Sequence, residues 1–222
     1  MSVTTRLGRP WPRPRRRTLA ALAAVCLVEA LALGAYVRVS PGGVTAPRYL
    51  LYPFVWLNVA GLAVLGTRVS PAPARRVRTA PAVAVGYFLV LAAIDGTVAL
   101  SPGTPTGVAV HWGLPPGWGP LVVADLGPVR VAPVPYRTLG YAAVAYLLYA
   151  TVRETASGVL GGVVGLFSCV SCTLPVVAAL LSGVGGGSAA AAATTFSHDL
   201  STAVFLATVV ALAWVARRNV ED

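Results

Sequence analysis

The sequence predicts an all-α fold, a polytopic transmembrane bundle of about six helices with the N-terminus and the C-terminus in the cytoplasm. Hydrophobic residues make up 56% of the chain and charged residues only 11%, whereas a soluble domain carries roughly 25% charged residues. Six apolar runs are close to the ~20 residues that a helix needs to cross a bilayer core. The arginines are concentrated on one of the two sides that these runs define.

The six predicted helices form a single transmembrane domain over residues 1–222. They cover residues 18–39, 49–69, 80–100, 137–152, 157–181 and 199–216. The first run follows Arg15 to Arg17 and contains small residues, so a cleaved signal peptide is the alternative interpretation. Its length, about 22 residues, and Glu29 at its middle favour an uncleaved helix.

The orientation follows from the arginines, which account for all seventeen basic residues. Thirteen fall on one side of the predicted bundle, and the other side receives only Arg38, Arg48, Arg130 and Arg137. Arginine-rich loops stay in the cytoplasm. Because the arginines flank apolar runs instead of lining one face, the net charge of +10 does not indicate nucleic acid as a partner. The expected surroundings are the lipid bilayer of the cell membrane and other membrane subunits.

The longest connection, residues 101–136, is predicted to be a proline-rich external loop. Its eight prolines exclude a helix or a long strand. Leu121 to Val134 can form a short hairpin around Leu126-Gly127-Pro128. Trp112 and Trp118 are typical of a segment that lies at the headgroup level of the membrane.

Glu29, Asn58 and Asp95 are polar side chains away from the ends of the predicted helices, where lipid would disfavour them. Glu29 shares a helical face with Cys26 and is either a proton or cation site or a protonated acid bonded to a neighbouring helix. Asn58 is predicted to hold two helices together. Asp95, about five residues from the outer end of its run, can reach the interface, which favours a structural role.

A metal site is a weaker prediction. His198 and Asp199 open the last helix, and a metal ion there would need His198 with His111 or Asp199. The chain has only two histidines. Cys26, Cys169 and Cys172 are the remaining weak candidates for ligands. No cofactor is expected.

The most distinctive motif is Cys169-Val170-Ser171-Cys172 with Pro175 in the fifth run. In a regular helix the two cysteine Cβ atoms would lie about 5–6 Å apart, too far for a disulfide, but Pro175 loosens this turn. Three interpretations remain open: a redox-active dithiol, a soft-metal path for Cu(I) with Cys26 as third ligand, and simple packing of small residues.

The segment Leu166 to Gly183, LFSCVSCTLPVVAALLSG, resembles the Cys-x-Leu-Pro hairpin of the CcdA/DsbD membrane thiol-electron transporters. The resemblance implies that Cys172 is a redox cysteine and Pro175 its helix-breaking proline. It covers under a tenth of the chain, and the second reactive cysteine of that family has no counterpart with its own proline motif. The sequence as a whole is similar to small uncharacterised six-helix membrane proteins of haloarchaeal type.

No Walker motif, glycine-rich nucleotide fingerprint or Ser/His/Asp set is present. The sequence therefore favours a protein that is not an enzyme, either a transport-type component or a subunit of a membrane complex. A membrane thiol–disulfide electron carrier and a path for soft metals such as copper are the alternatives.

Overall fold

The computed structural model describes residues 16–40, 47–69, 71–154, 198–199 and 201–214. The chain divides into two compact units, Met1–Thr45 and Ala46–Asp222. The first unit contains helix α1, Arg16–Val39. At 1.5 Å per residue its 24 residues span about 36 Å, more than the hydrocarbon core of a bilayer. The helix predicted over 18–39 is confirmed.

The second unit contains four helices in its described part. They are α2 (Pro47–Gly66), α3 (Ala74–Ile94), α4 (Pro135–Glu154) and α5 (Ser201–Trp214). Pro47 stands at the first position of α2, where the missing N–H has no helical partner in any case. By length and composition α1, α2 and α3 can each cross a membrane. The predicted fifth helix, 157–181, lies outside the described residues, so the six-helix count stays a prediction.

The predicted end of the third helix was wrong. The apolar run continues to Leu100, but α3 ends at Ile94 and the chain turns at Asp95 and Gly96. Gly96 has a φ of +79°, a left-handed conformation that stops a helix and that glycine adopts without steric cost. The residues beyond it form a strand.

The all-α prediction is corrected by a small antiparallel sheet between α3 and α4. Its strands are β1 (Val98–Leu100), β2 (Gly107–His111), β3 (Leu121–Asp125) and β4 (Val129–Val131), in the order β1-β4-β3-β2. Hydropathy cannot reveal such a sheet, because apolar β-branched residues suit a strand as well as a buried helix.

The hairpin predicted within this loop is confirmed. β3 pairs with β4 in the register Asp125↔Arg130, and Leu126 N–H donates to Val129 O at 2.8 Å. Gly127 takes a φ of +84° in the turn, which a residue with a side chain would rarely adopt. The same strand β4 also pairs with β1, with Val98 opposite Val131. The hairpin thus ties the end of α3 to the start of α4.

The core of the second unit forms where α4 packs against both α2 and α3. At its centre Trp56 of α2 is 2% exposed and stacks on Phe205 of α5, with ring centroids 3.7 Å apart and planes within 4°. Trp56 Nε1–H donates to Thr202 Oγ1 at 3.1 Å, so the indole is both packed and hydrogen-bonded. Gly140 of α4 faces this pair, and a Cβ there would lie 2.6 Å from Trp56 Cε3.

The two ends of these helices differ in character. At the sheet end, α2 begins, α3 ends, and α4 and α5 begin, beside the four-stranded sheet. At the opposite end, which we term the arginine end, α2 finishes and α3 starts, and Arg68, Arg75, Arg76 and Arg78 lie there. The candidate site lies at the sheet end.

A candidate ion-pair site at the sheet end

The sheet-end cluster consists of Asp95, Arg137 and His198 with the tyrosines Tyr136 and Tyr141. Asp95 follows the last residue of α3, and its N–H still donates to Leu91 O at 2.9 Å. Arg137 stands in the first turn of α4, and His198 precedes α5. The turn at Gly96 and the β1–β4 pairing bring the first two residues together across 42 positions of sequence.

Asp95 and Arg137 form a short ion pair. Arg137 Nη1 lies 2.6 Å from Asp95 Oδ1, and the two side chains are only 16% and 11% exposed for the arginine and the aspartate. Thr97 Oγ1 donates to Asp95 Oδ2 at 3.3 Å, and the Tyr141 hydroxyl also bonds the carboxylate. A buried carboxylate without partners would be costly, and here its oxygens are bonded by three side chains.

The other nitrogens of Arg137 bind two further partners. Nε–H donates to the Tyr136 hydroxyl at 3.1 Å, and Nη2 lies 3.0 Å from His198 Nδ1. A guanidinium has donors only, so the imidazole must accept at Nδ1 and carry its proton at Nε2. The contact therefore selects one tautomer of the neutral histidine, because a proton at Nδ1 would face the arginine N–H.

The surroundings lower the pKa of His198. Burial is the main cause, since it disfavours the charged imidazolium, and the positive charge of Arg137 acts in the same direction. Asp95 opposes both effects and raises the pKa. The net direction agrees with the geometry, in which only the neutral ring can accept from Arg137.

Aromatic rings cover the arginine. The guanidinium carbon lies 5.9 Å from the ring centroid of Trp118 and 5.8 Å from that of Tyr136, within the range of cation–π attraction. Trp118, from the loop between β2 and β3, donates its indole N–H to Tyr49 O at 2.9 Å. The loop between β2 and β3 thus contributes a side chain that packs on the cluster and bonds the start of α2.

Two more arginines of the sheet end pair with aspartates. Arg48 Nη1 lies 3.3 Å from Asp199 Oδ2, and Arg130 Nε lies 2.6 Å from Asp125 Oδ1. With Arg137, three of the four arginines assigned to the charge-poor side are neutralised by a carboxylate. The fourth, Arg38, belongs to the first unit. Fixed positive charge at the sheet end is therefore lower than the count of arginines implies.

The structure brings together only some of the residues that the sequence singled out. Asp95 and His198 meet at Arg137. The sequence predicts Asp95 inside a helix, but the residue lies at the end of one, directly after α3. Asn58 is half-buried near the middle of α2, and Glu29 is half-buried on α1 with Cys26, an exposed free thiol. Cys169, Cys172 and Pro175 lie outside the described residues.

The geometry at His198 does not favour the metal site considered from the sequence. Its Nδ1 faces the guanidinium of Arg137, a cation that would repel a metal ion, and His111 lies on β2 as an exposed residue. Across the ranges that the structure describes, no three His, Cys, Asp or Glu side chains are grouped as metal ligands.

The sequence indicates only a topology role for Arg137, as one of the four arginines on the charge-poor side. A signal for its ion pair is the balance of positive and negative charges in the segment that ends at Arg137. The segment from Asp95 to Arg137 contains two aspartates and two arginines, an equality that is unusual for an apolar chain with an excess of ten positive charges. Buried charges in membrane proteins usually pair with one another, so this balance indicated ion pairs.

The chain was compared with protein families, curated proteins and solved structures. No curated protein and no solved structure gave a match. A family model, described as a family of unknown function (DUF7546), matches residues 1–219. The match extends over α1, the sheet, the sheet-end cluster and α5, and the chain belongs to the DUF7546 family.

Proposed function

We propose that the chain is a multi-pass protein of the cell membrane that works without catalysis, as a transport-type component. It crosses the bilayer six times, with both ends in the cytoplasm and the sheet outside. The three helices that are long and apolar enough to span a membrane support the location. Exposed leucines and valines along α2 and α3, such as Leu65 and Leu89, suit contact with lipid.

The arrangement of the helix ends supports the threading. α2, α4 and α5 begin at the sheet end, whereas α3 ends there. These directions are the ones that the six-helix prediction requires. The arginines agree, since those at the sheet end are paired with aspartates and those at the arginine end are exposed or half-buried in the connection between α2 and α3.

The observation that carries the functional proposal is the Asp95–Arg137 pair. It joins α3 to α4 at the outer end of the bundle, and the Arg137–His198 contact extends the connection to the start of α5. A transport-type component needs connections at one end of the bundle that can break and re-form, and ion pairs do so without disturbing the apolar core. The cluster would then close the outer end.

Accessible cysteines test the orientation. In a chain with Cys26, Cys169 and Cys172 changed to alanine, Val108→Cys on β2 and Ala74→Cys at the start of α3 each introduce one exposed thiol. We expect a membrane-impermeant maleimide to label Val108→Cys in intact cells and Ala74→Cys only after lysis. Labelling of Ala74→Cys from outside would contradict the proposed threading.

Flux measurements test the function. Membrane vesicles from cells with and without the chain are compared for uptake of protons, sodium and Cu(I), and the variant D95N/R137Q is tested beside R48Q/D199N. The second pair is a matched control, because it removes an ion pair that is 47% and 36% exposed. We expect one flux to be lost on deletion and altered by the first variant but not by the second.

Two further readings have distinct outcomes. If the chain is instead a subunit of a membrane complex, deletion leaves these fluxes intact and a co-purifying partner loses its membrane assembly. A stable monomer with unchanged fluxes contradicts both ideas. Copper passage predicts Cu(I) bound by the purified protein and lost when Cys169 or Cys172 is changed to serine.

The thiol-carrier alternative depends on the Cys169–Cys172 motif with Pro175 and on its resemblance to the CcdA/DsbD hairpin. Alkylation gel shifts before and after reductant distinguish it. Reversible oxidation of both cysteines in cells would support electron transfer. Cysteines that stay free under oxidising conditions, with no effect of serine at either position, would exclude it.

A further inference from the structure

The arginine end carries a patch of four arginines, Arg68, Arg75, Arg76 and Arg78, which we term the arginine patch. Three of them are exposed and Arg76 is half-buried. The last three fall within one turn at the start of α3, whose first turn contains no acidic residue. The nearest acids along the chain are Glu29 and Asp95, and neither belongs to the α2–α3 connection.

The patch differs from the arginines at the sheet end in its partners. Arg48, Arg130 and Arg137 each pair with an aspartate. Within the parts of the chain that the structure describes, no carboxylate pairs with any of the four arginines of the patch. The positive charge there is thus not neutralised by the described protein, and a complementary anion from outside the chain can approach it.

The position of the patch relative to the apolar helices indicates which anion. Arg68 lies two residues beyond the end of α2, where Thr67 Oγ1 bonds Ala63 O and fixes the helix end. The other three lie just before Ala80, the first buried residue of α3. Apolar spans on both sides hold the patch at the level of lipid headgroups, where basic clusters next to a spanning helix attract anionic lipids.

We infer that the arginine patch binds the phosphate groups of anionic lipids in the cytoplasmic leaflet. The guanidinium group suits this ligand, because its planar fork of donors matches two phosphate oxygens. The inference rests on the proposed membrane location and goes beyond it. Arginines that only determine orientation need no bound lipid, whereas this patch retains anionic lipid after extraction from the membrane.

The test is native mass spectrometry of the full-length chain in detergent, titrated with phosphatidylglycerol. The variant R75Q/R78Q removes two exposed charges of the patch. The control R217Q/R218Q removes two charges from the same predicted side. At about 1 kcal/mol for each arginine that contacts the lipid phosphate, R75Q/R78Q should bind phosphatidylglycerol about 30-fold more weakly. The control should bind like the wild type.

Two further measurements separate the possible sources of binding. Phosphatidylcholine and inorganic phosphate should neither compete nor bind comparably, and raising the salt concentration should weaken phosphatidylglycerol binding by the wild type, because mobile ions screen exposed charges. This salt dependence tests the inference even if R75Q/R78Q fails to fold. Equal losses in both variants, no loss in either, or equal binding of inorganic phosphate would overturn it.

Different results would contradict the lipid site and the membrane location. A chain recovered in a salt-washed soluble fraction, or Ala74→Cys labelled from outside intact cells, contradicts the location or the threading. A chain that is correctly threaded but whose two charge variants bind lipid alike contradicts the lipid site alone. The variant R75Q/R78Q still leaves eleven arginines on the cytoplasmic side against four outside, so its orientation should be preserved.

Discussion

Arg137 at the start of α4 reaches Asp95 at the end of α3, with Nη1 and Oδ1 2.6 Å apart and both side chains largely buried. Three different nitrogens of this one guanidinium bind Asp95, Tyr136 and His198. A lysine has one nitrogen and cannot reproduce this geometry. Arg137 therefore links the end of α3, the start of α4 and the start of α5 in one network of polar contacts.

Removing Arg137 alone should be strongly destabilising. R137Q leaves a buried, uncompensated carboxylate, and breaking a buried pair in this way costs about 3–5 kcal/mol. Tryptophan fluorescence during thermal unfolding in detergent measures the change. The double variant D95N/R137Q removes both charges and should recover a large part of the loss. A double variant as unstable as R137Q would show that the charge of Asp95 is not the cause.

Removing Arg48 should have a much smaller effect. Its pair with Asp199 is 3.3 Å long, with side chains 47% and 36% exposed, so water competes for both charges. Exposed ion pairs contribute about 0.2–1 kcal/mol, and salt screens them. R48Q should lower the melting temperature only slightly, and the difference from wild type should shrink at high salt. A loss as large as that of R137Q would contradict the contrast in burial.

Gly140→Ala should destabilise the packing of α4 on α2 and α5. The added Cβ would lie 2.6 Å from Trp56 Cε3 and 3.2 Å from Phe205 Cε2, and both rings of this stacked pair are buried. Overpacking of this kind costs about 1–3 kcal/mol, more than the gain in helix propensity from alanine. Gly86→Ala on α3 is the control, because no atom lies within 4 Å of its new Cβ.

The control variant should be neutral or slightly stabilising in the same thermal assay. If Gly140→Ala is as stable as Gly86→Ala, then α4 does not approach Trp56 closely enough for an added methyl group to clash. A tryptophan emission shift in Gly140→Ala alone would locate the disturbance at the indole.

The stability of the chain should depend on pH through His198. An unfolded histidine titrates near pH 6.5. Burial and Arg137 hold the pKa of His198 below this value in the folded chain. Between the folded and the unfolded pKa, the unfolded state therefore binds more protons than the folded state. The stability that depends on the neutral imidazole is fully present above pH 6.5. It declines as the pH falls through 6.5 towards the folded pKa. His198→Gln should flatten that part of the profile.

His111→Gln provides the matched control, since it removes the other histidine, which lies exposed on β2. Melting temperatures between pH 8 and pH 5 should show the same decline in this variant as in the wild type. Identical profiles for His198→Gln and wild type would show that the imidazole is not held neutral by its surroundings.

The sequence predicted a helix well where an apolar run ended at a clear boundary. The first run matches α1 within two residues, and the hairpin around Gly127 was recognised from its turn residues. The predicted end of the third helix was wrong because Val98 to Leu100 is as apolar as the helix before it. Only the pairing of Val98 with Val131, over thirty residues away in the chain, makes that stretch a strand.

The candidate site was predicted in part. Asp95 was recognised as a polar group in an apolar run, but its partner Arg137 was read only as a topology charge. The tautomer of His198 and the contact of Gly140 with Trp56 depend on distances between helices, which one sequence does not contain. The cysteine motif, which was the most distinctive feature of the sequence, lies outside the described residues.

The packing of α4 on both α2 and α3 has a consequence for biogenesis. When α3 leaves the ribosome, the surface on which it packs has not yet been made. Arg137 is the 42nd residue to be synthesised after Asp95. Under the proposed threading, this carboxylate stays without its arginine until α4 has been synthesised, so the packing of α3 is completed only after α4 is present.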